Sequence, residues 1–322
     1  MIGEKTPLSE IMRQAYRQGI LIPAFNIAYI PMIKPIVESL KKHRTFGLVE
    51  VARPDVEKLG ASSFQEVAEK YYVLGERMFT RLHLDHIPVI DEDGEKVDWE
   101  HLIQIALDFR YDSVMIDGSR LTLEENISVT RKVVELAHSY NVPVEAELGA
   151  VLGHEEGPLP PYEELLSSKK GFTGIREAKR FVEETGVDWL SVAIGNIHGA
   201  ISGAAKDKKK VSARLDIEHL KRLAEVTMIP LVLHGGSGIK RSYLMDAIQN
   251  GISKINIGTS IRQVYEFSLC DYPHNIATAQ AKVAQEMQRL IKEYEVEGSE
   301  RDYRREDKKP AGLRYANHET IQ

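Results

Sequence analysis

The chain has 322 residues, enough for one barrel with insertions or for two ordinary domains. Its 43% hydrophobic and 28% charged residues match a soluble globular protein, and a formal net charge of -6 argues against nucleic acid as the main partner. The single cysteine, Cys270, allows no intramolecular disulfide, the N-terminal stretch lacks an apolar signal core, and no run nears the roughly 18 apolar residues of a membrane span, so the expected setting is the cytoplasm, with no membrane partner.

Thr6-Pro7 supplies an N-cap and first helical residue for a helix that stops at Gly19. A strand over 21–25 ends in Asn26, a helix follows over 32–41, and 46–51 reads as a buried strand. A helix over 63–76 precedes the strand carrying Leu82-His83-Leu84-Asp85-His86, and the acidic stretch 90–97 reads as a solvated turn. The alternation then becomes regular: helix 99–109, strand 113–117, helix 123–140, and strand 142–148 with Glu145 and Glu147. The polar segment 150–172 is too long for a tight turn, and such loops are usually lids or disordered. Helix 175–185 and strand 189–194 lead into a loop holding His198 and Gly199, and the run KDKKK at 206–210 reads as a solvated loop. The last units are helix 216–226, strand 230–233 with His234-Gly235-Gly236-Ser237-Gly238 after it, helix 241–250, strand 254–257 with Gly258-Thr259-Ser260 after it, and a helix from 261.

Eight strands, each followed by a helix, imply an α/β chain closed as a (β/α)8 barrel. An open doubly wound sheet is the alternative, but no GxGxxG follows the first strand and no composition break separates two halves. The expected division is a barrel over 1–285, with its site at the C-terminal strand ends, and a charged, peripheral helix and tail over 286–322.

The polar residues at those strand ends are Asp85 and His86, Asp117, Glu147, His198 and His234, with Asn256 inside the last strand. Three histidines from three strand ends can converge on one ion and leave a position open, the pattern of a catalytic zinc site. The bland alternative for each is an imidazole satisfied by a backbone carbonyl. His83 and Asp85 share a strand face, so His86 joins them only if the strand has ended and the chain turns there. Glycine-rich loops after strands seven and eight fall where barrels commonly grip phosphate with backbone N–H groups. Metal beside phosphate suggests sugar-phosphate carbon chemistry, with the metal as electron sink. The rival sink, a Schiff-base lysine, lacks a lysine at any strand end, since Lys254 opens strand eight and is expected at the bottom of the barrel.

Taken in order, PAFNI (23–27), LHLDH (82–86), SVMIDGS (113–119), VEAELG (144–149), AKRFVEETGVDWLSVAIGNIHG (178–199), PLVLHGGSGI (230–239) and KINIGT (254–259) resemble the class II, metal-dependent ketose-bisphosphate aldolases, over roughly 6–270. The resemblance implies a barrel assembled as a homodimer or homotetramer, Zn2+ or another divalent ion, a monovalent cation as a further candidate, and a phosphorylated sugar as substrate. It implies His86, His198 and His234 as metal ligands with Glu147 beside them, Asp85 as the group exchanging a proton with the C4 hydroxyl, and Glu155 as the group handling the C3 proton. Asn26, Gly199, Gly235, Gly236, Ser237, Asn256, Ile257, Gly258 and Thr259 are the implied substrate-binding residues.

Departures from the family pattern are Glu50 and Ala52 where glutamine and serine are usual, Ile87-Pro88 where a glycine is usual, Leu152-Gly153-His154-Glu155 in a loop that usually carries a pair of glycines, Ser260 in place of an acidic residue, and KDKKK after His198. The expected function is retro-aldol cleavage of a phosphorylated ketose to dihydroxyacetone phosphate and an aldehyde. A metal-dependent epimerase or isomerase on the same barrel, or a non-catalytic sugar-binding homologue, are the alternatives.

Overall fold

The computed structural model describes residues 6–151, 162–197 and 213–304. His198, Gly199, Glu155 and the lysine run therefore lie outside the described residues. Eight parallel strands, β1 (Ile22–Asn26), β2 (Gly47–Ala52), β3 (Thr80–Pro88), β4 (Ser113–Asp117), β5 (Val144–Leu148), β6 (Trp189–Val192), β7 (Leu231–Leu233) and β8 (Ile252–Ile257), close in chain order. Closure is made by β1 on β8, where Ala24 pairs with Asn256. The strands read as near-continuous apolar runs because helices cover the outer face and packed side chains fill the inner one.

The helices are α1 (Leu8–Gln18), α2 (Ile33–Lys42), α3 (Arg53–Glu57), α4 (Phe64–Leu74), α5 (Trp99–Asp108), α6 (Leu123–Ser139), α7 (Tyr162–Ser168), α8 (Ile175–Thr185), α9 (Ile217–Thr227), α10 (Arg241–Ile248), α11 (Thr259–Asp271) and α12 (Ile276–Glu293). Among the described residues, no helix is long and apolar enough to cross a membrane. Two details differ from the sequence reading. Pro7 rather than Thr6 occupies the N-cap of α1, and the span expected to hold one helix before β3 holds two. The extra helix, α3, starts directly from the end of β2, where Pro54 sits in its first turn and the Asp55 carboxylate accepts a hydrogen bond from the Ala52 N–H at 2.9 Å.

Helix α12 packs on α2 and α11 with Val283, Met287, Leu290 and Ile291 buried, so a boundary at 285 falls inside a packed helix. Beyond it the chain runs back along the barrel. The Phe46 N–H donates to Ser299 Oγ at 3.1 Å, the Thr45 hydroxyl donates to the Val296 carbonyl at 3.1 Å, and Arg44 pairs with buried Glu300.

Inside the barrel the side chains form layers of contrasting chemistry. At the bottom, Leu8, Ile11, Met12 and Ala15 of α1 close on Ile22, Ala24, Leu48, Trp189 and Val232. Arg81, fully buried there, donates to the carbonyls of Thr80 (2.8 Å) and Thr6 (2.9 Å) and lies 5.8 Å from the Phe46 ring centroid. Above this plug lies a charged layer of Glu50, His83, Glu145 and Lys254, none of them exposed. Lys254 Nζ is 2.9 Å from Glu145 Oε2 and 3.3 Å from Glu50 Oε2.

Burial, reinforced by the Asp85 carboxylate, pushes the Glu50 carboxyl well above the usual range, while Lys254 pulls it the other way. Folded Glu50 therefore holds its proton to higher pH than the unfolded side chain, which loses it near about pH 4.3. Between those two values the unfolded state binds fewer protons, and stability falls as pH rises. Glu50→Gln removes that penalty. Thermal unfolding should show the variant melting higher than the wild type by about 2–4 °C at pH 8 for each kcal/mol gained, with a smaller gap at pH 5. A gap that widens toward acid would contradict a raised Glu50 pKa.

Candidate metal centre at the barrel mouth

The sequence reading had strand three ending at His86. In the structure β3 continues to Pro88, and its pairing with β4 shifts register between Leu84 and Ile87. A β-bulge inserts an extra residue and re-aims the side chain that carries it. Here His86 takes a positive φ of 29°, and consecutive Asp85 and His86 both reach the mouth of the barrel.

Around them, β4, β5 and β7 deliver their last residues. His86 Nδ1 lies 3.3 Å from Asp117 Oδ2 and 4.0 Å from Glu147 Oε2. The Ser119 N–H donates to the other Asp117 oxygen at 2.9 Å. His234, directly after β7, has Nε2 2.8 Å from Glu145 Oε1 and Nδ1 3.1 Å from Glu147 Oε2. The Ser191 hydroxyl donates to Glu147 Oε2 at 3.2 Å, and the Asn126 amide donates to the Glu147 carbonyl at 3.0 Å. The rings of His86 and His234 stand edge to face with centroids 4.3 Å apart.

Potential ligand atoms of Asp85, His86 and His234 all lie within 4.8 Å of one another, and the same holds for His86, Asp117 and Glu147. Imidazoles held by a carboxylate on one nitrogen are the usual arrangement of metal-binding histidines, because the second bond sets tautomer and ring direction. The described residues thus supply two of the three expected histidines in a donor set that suits a divalent ion.

Asp85 is held from both sides. Asn256 donates to Oδ1 at 2.8 Å and Asn26 donates to Oδ2 at 2.9 Å. Burial alone would raise this carboxyl, but the charges on His86, Lys254 and His234 bring it down to about 2. It is ionised at neutral pH. His83, on the same face but deeper, is pushed down to about 3 by burial and by Lys254, so it is a neutral imidazole within 2.7 Å of Ser113 Oγ.

A cavity of about 300 Å3 opens over these groups, and Asn26, Gly235, Asn256, Gly258 and Thr259 line it beside Asp85, His86 and Glu147. Gly235 adopts φ 74°, and a short 3-10 turn follows over Gly236–Gly238. A Cβ on Gly236 would stand 2.5 Å from Ile255 Cγ1 and 2.8 Å from the Asn256 carbonyl, so this loop lies flat on β8 only as glycine. Thr259 opens the 13-residue helix α11 at the cavity edge, where a helix N-terminus favours an anion. Two expected residues differ. Ile257 belongs to the core shared with the helices, and of Ser237 only the backbone is described.

Several participants were missed or misplaced from sequence. Asp117 and Glu145 were seen near strand ends but given no task. Lys254 was expected at the bottom of the barrel, yet its Nζ reaches Glu145 and the Asn256 side chain, directly below Asp85. Period-two alternation carried the signal, because Glu145 and Glu147 share one face, as do Lys254 and Asn256. Burial would strip the Lys254 proton, but Glu145 and Glu50 hold its pKa above the usual lysine range. A lysine kept charged is no Schiff-base nucleophile. Arg53, Arg120 and Arg262 also line the cavity. Arg262 lies one helical turn after Thr259, a spacing that puts both on one face, whereas Arg53 sits on the unforeseen α3.

The family model for class II fructose-bisphosphate aldolases matches residues 6–300. Among solved structures, the crystal structure of the YdjI aldolase from Escherichia coli K12 superposes with a TM-score of 0.71 at 25% identity, covering 91% of this chain and 98% of that one. A putative fructose-1,6-bisphosphate aldolase from Coccidioides immitis gives 0.71 at 21% identity, covering 91% of this chain and 97% of that one. Fructose-bisphosphate aldolase from Campylobacter jejuni gives 0.70 at 18% identity, covering 90% and 95% respectively.

The cluster makes metal uptake a proton-coupled event. Burial lowers the His86 imidazole, yet Asp85, the Asp117 hydrogen bond and Glu147 together raise it to about 10. Without an ion, His86 therefore carries a proton at neutral pH that a divalent cation must displace. Titrating metal-free protein with Zn2+ by calorimetry, in buffers of different ionisation enthalpy, should show about one proton released at pH 7 and affinity rising about tenfold per pH unit between 6 and 8. Affinity flat across that range would contradict a protonated His86.

Proposed function

The chain belongs to the class II fructose-bisphosphate aldolase family, and from that membership we propose that it is a zinc-dependent lyase. It splits a phosphorylated ketose reversibly into dihydroxyacetone phosphate and an aldehyde. In this reading His86, His198 and His234 hold the ion, with Glu147 beside them. When bound, the ion supplies Lewis-acid polarisation of the ketose C2 carbonyl.

The observation that carries the reading is the setting of Asp85: an ionised carboxylate, hydrogen-bonded by Asn26 and Asn256, one residue from His86 and within 4.8 Å of the His86 and His234 nitrogens. Asp85 accepts the C4 hydroxyl proton as the C3–C4 bond breaks, and its two amide donors keep it aimed at that hydroxyl. Glu155 returns a proton to C3. The backbone of Gly199, Gly235, Gly236 and Ser237, with Asn256 to Thr259, grips the phosphate of the dihydroxyacetone half; Ile257 takes part through its main chain. Membership of a family described as class II fructose-bisphosphate aldolase supports a phosphorylated ketose as substrate. The working form is proposed as a homodimer or homotetramer in the cytoplasm, with a monovalent cation as a further ligand.

The reading predicts release of dihydroxyacetone phosphate from ketose mono- or bisphosphates that stops on chelation and returns with Zn2+. Asp85→Ala should lower kcat by about 10²- to 10⁴-fold, the usual contribution of general acid–base catalysis, while zinc is still bound. Product analysis by NMR separates the outcomes. Cleavage that survives chelation, or is unchanged in Asp85→Ala, overturns the proposal, and a single product with the carbon count of the substrate replaces lyase by epimerase.

A further inference from the structure

Below the site, Lys254 is a buried cation with three side-chain oxygens of three strands around it, two of them hydrogen-bond acceptors. Its ammonium lies 2.7 Å from Asn256 Oδ1, 2.9 Å from Glu145 Oε2 and 3.3 Å from Glu50 Oε2. It lies in the layer next above the apolar plug of Ile22, Ala24, Leu48, Trp189 and Val232. We propose that Lys254 is a positioning residue that sets both the base Asp85 and the metal ligand His234, through Asn256 on one side and Glu145 on the other. The inference rests on the aldolase reading of the site above.

The first arm is an amide orientation. With Oδ1 of Asn256 accepting from Lys254, its NH2 group must face the other way, where it donates to Asp85 Oδ1 at 2.8 Å. A flipped amide would turn N–H toward an ammonium and a carbonyl oxygen toward a carboxylate, two repulsive contacts. The second arm is a carboxylate orientation. Lys254 and the Trp189 indole, donating at 2.7 Å, occupy Glu145 Oε2, so Oε1 is the oxygen presented to His234 Nε2 at 2.8 Å. That contact assigns a proton to Nε2 and turns Nδ1, 3.1 Å from Glu147 Oε2, to the side where an ion would be met.

Buried ion pairs seldom stabilise a fold relative to apolar side chains of similar volume, and barrel interiors are commonly filled by Val, Ile and Leu. A charged layer between an apolar plug and a reactive mouth is therefore explained by the geometry it imposes. Lys254 itself is absent from the cavity lining, and its polar partners are Asn256, Glu145 and Glu50.

The test uses Lys254→Met, which keeps the length and removes the charge. Calorimetric titration of metal-free protein with Zn2+ should show affinity weakened about 10- to 100-fold, the usual effect of losing a partner that orients a metal ligand. At saturating Zn2+, kcat should fall about 100-fold while KM moves less than about threefold, because the misplaced group acts in the transition state. Circular dichroism checks folding. If the single variant does not fold, Glu145→Gln combined with Lys254→Met removes the nearest buried carboxylate together with the cation, and it should fold with kcat at saturating zinc still reduced about 100-fold. A folded Lys254→Met with wild-type zinc affinity and kcat, or the double variant with wild-type kcat, shows a purely structural lysine and overturns the inference. Wild-type protein that binds zinc but cleaves no ketose phosphate overturns the aldolase reading, while the affinity comparison still decides the role of Lys254. Wild-type protein that takes up no zinc overturns both.

Discussion

Closing eight parallel strands leaves an interior only wide enough for side chains, and period-two alternation decides which ones enter. Everything at the reactive end depends on that constraint. In β5, Glu145 and Glu147 go in while Ala146 packs outward; in β8, Lys254 and Asn256 go in while Ile255 and Ile257 pack outward. The interior thereby stacks an apolar plug, a charged layer and a mouth of imidazoles and carboxylates. A one-residue slip in any strand would exchange these sets and put buried charges among the helices. Register is held by that penalty as much as by the hydrogen bonds of the sheet.

In β3 the alternation is broken where two adjacent residues, Asp85 and His86, must face the same side. The bulge in β3 lets Asp85 and His86 share the mouth, with backbone strain carried at His86. Its surroundings offset that strain, since a histidine flanked by Asp85, Asp117 and Glu147 gains favourable electrostatics in a low-dielectric setting. The same surroundings leave an excess of negative charge over positive at the mouth. A divalent cation relieves that excess, which is why an acid-rich cluster around two imidazoles suits a metal better than it suits an anion alone.

The barrel itself was legible because long amphipathic helices alternating with short apolar strands leave few other solutions. Asp85, His86, Glu147 and His234 were legible because they fall at strand ends, the one location a barrel reserves for reactive groups. Glu145 and Lys254 were hidden by the same rule, being one layer too deep to be strand-end residues, although their period-two partners gave them away in retrospect. The bulge was not readable, because it depends on pairing with β4 rather than on any local residue preference. Helix α3 was missed for a related reason: five residues are too few to show a helical period, and it is stabilised by a tertiary setting around Asp55 and by ion pairs.

The acidic turn after β3 shows how a segment that looks idle acquires a position. Asp91 Oδ1 accepts from the N–H groups of Asp93 (3.1 Å) and Glu95 (2.9 Å), which folds the turn on itself, and its second oxygen takes the Arg53 guanidinium at 3.1 Å. Arg53 also binds Glu57 at 2.6 Å, and Lys58 pairs with Glu92. The loops after β2 and β3 are thus laced together, and Arg53, Glu57, Ile90 and Glu92 from them line the cavity. Partly exposed ion pairs of this kind contribute little stability, typically under about 1 kcal/mol each. What they supply is a wall of defined shape over the side of the cavity away from the glycine loops. Asp85 and the histidines are set from below by strands, whereas this wall is set from outside by loops, so two separate parts of the fold shape the floor and the wall of one cavity.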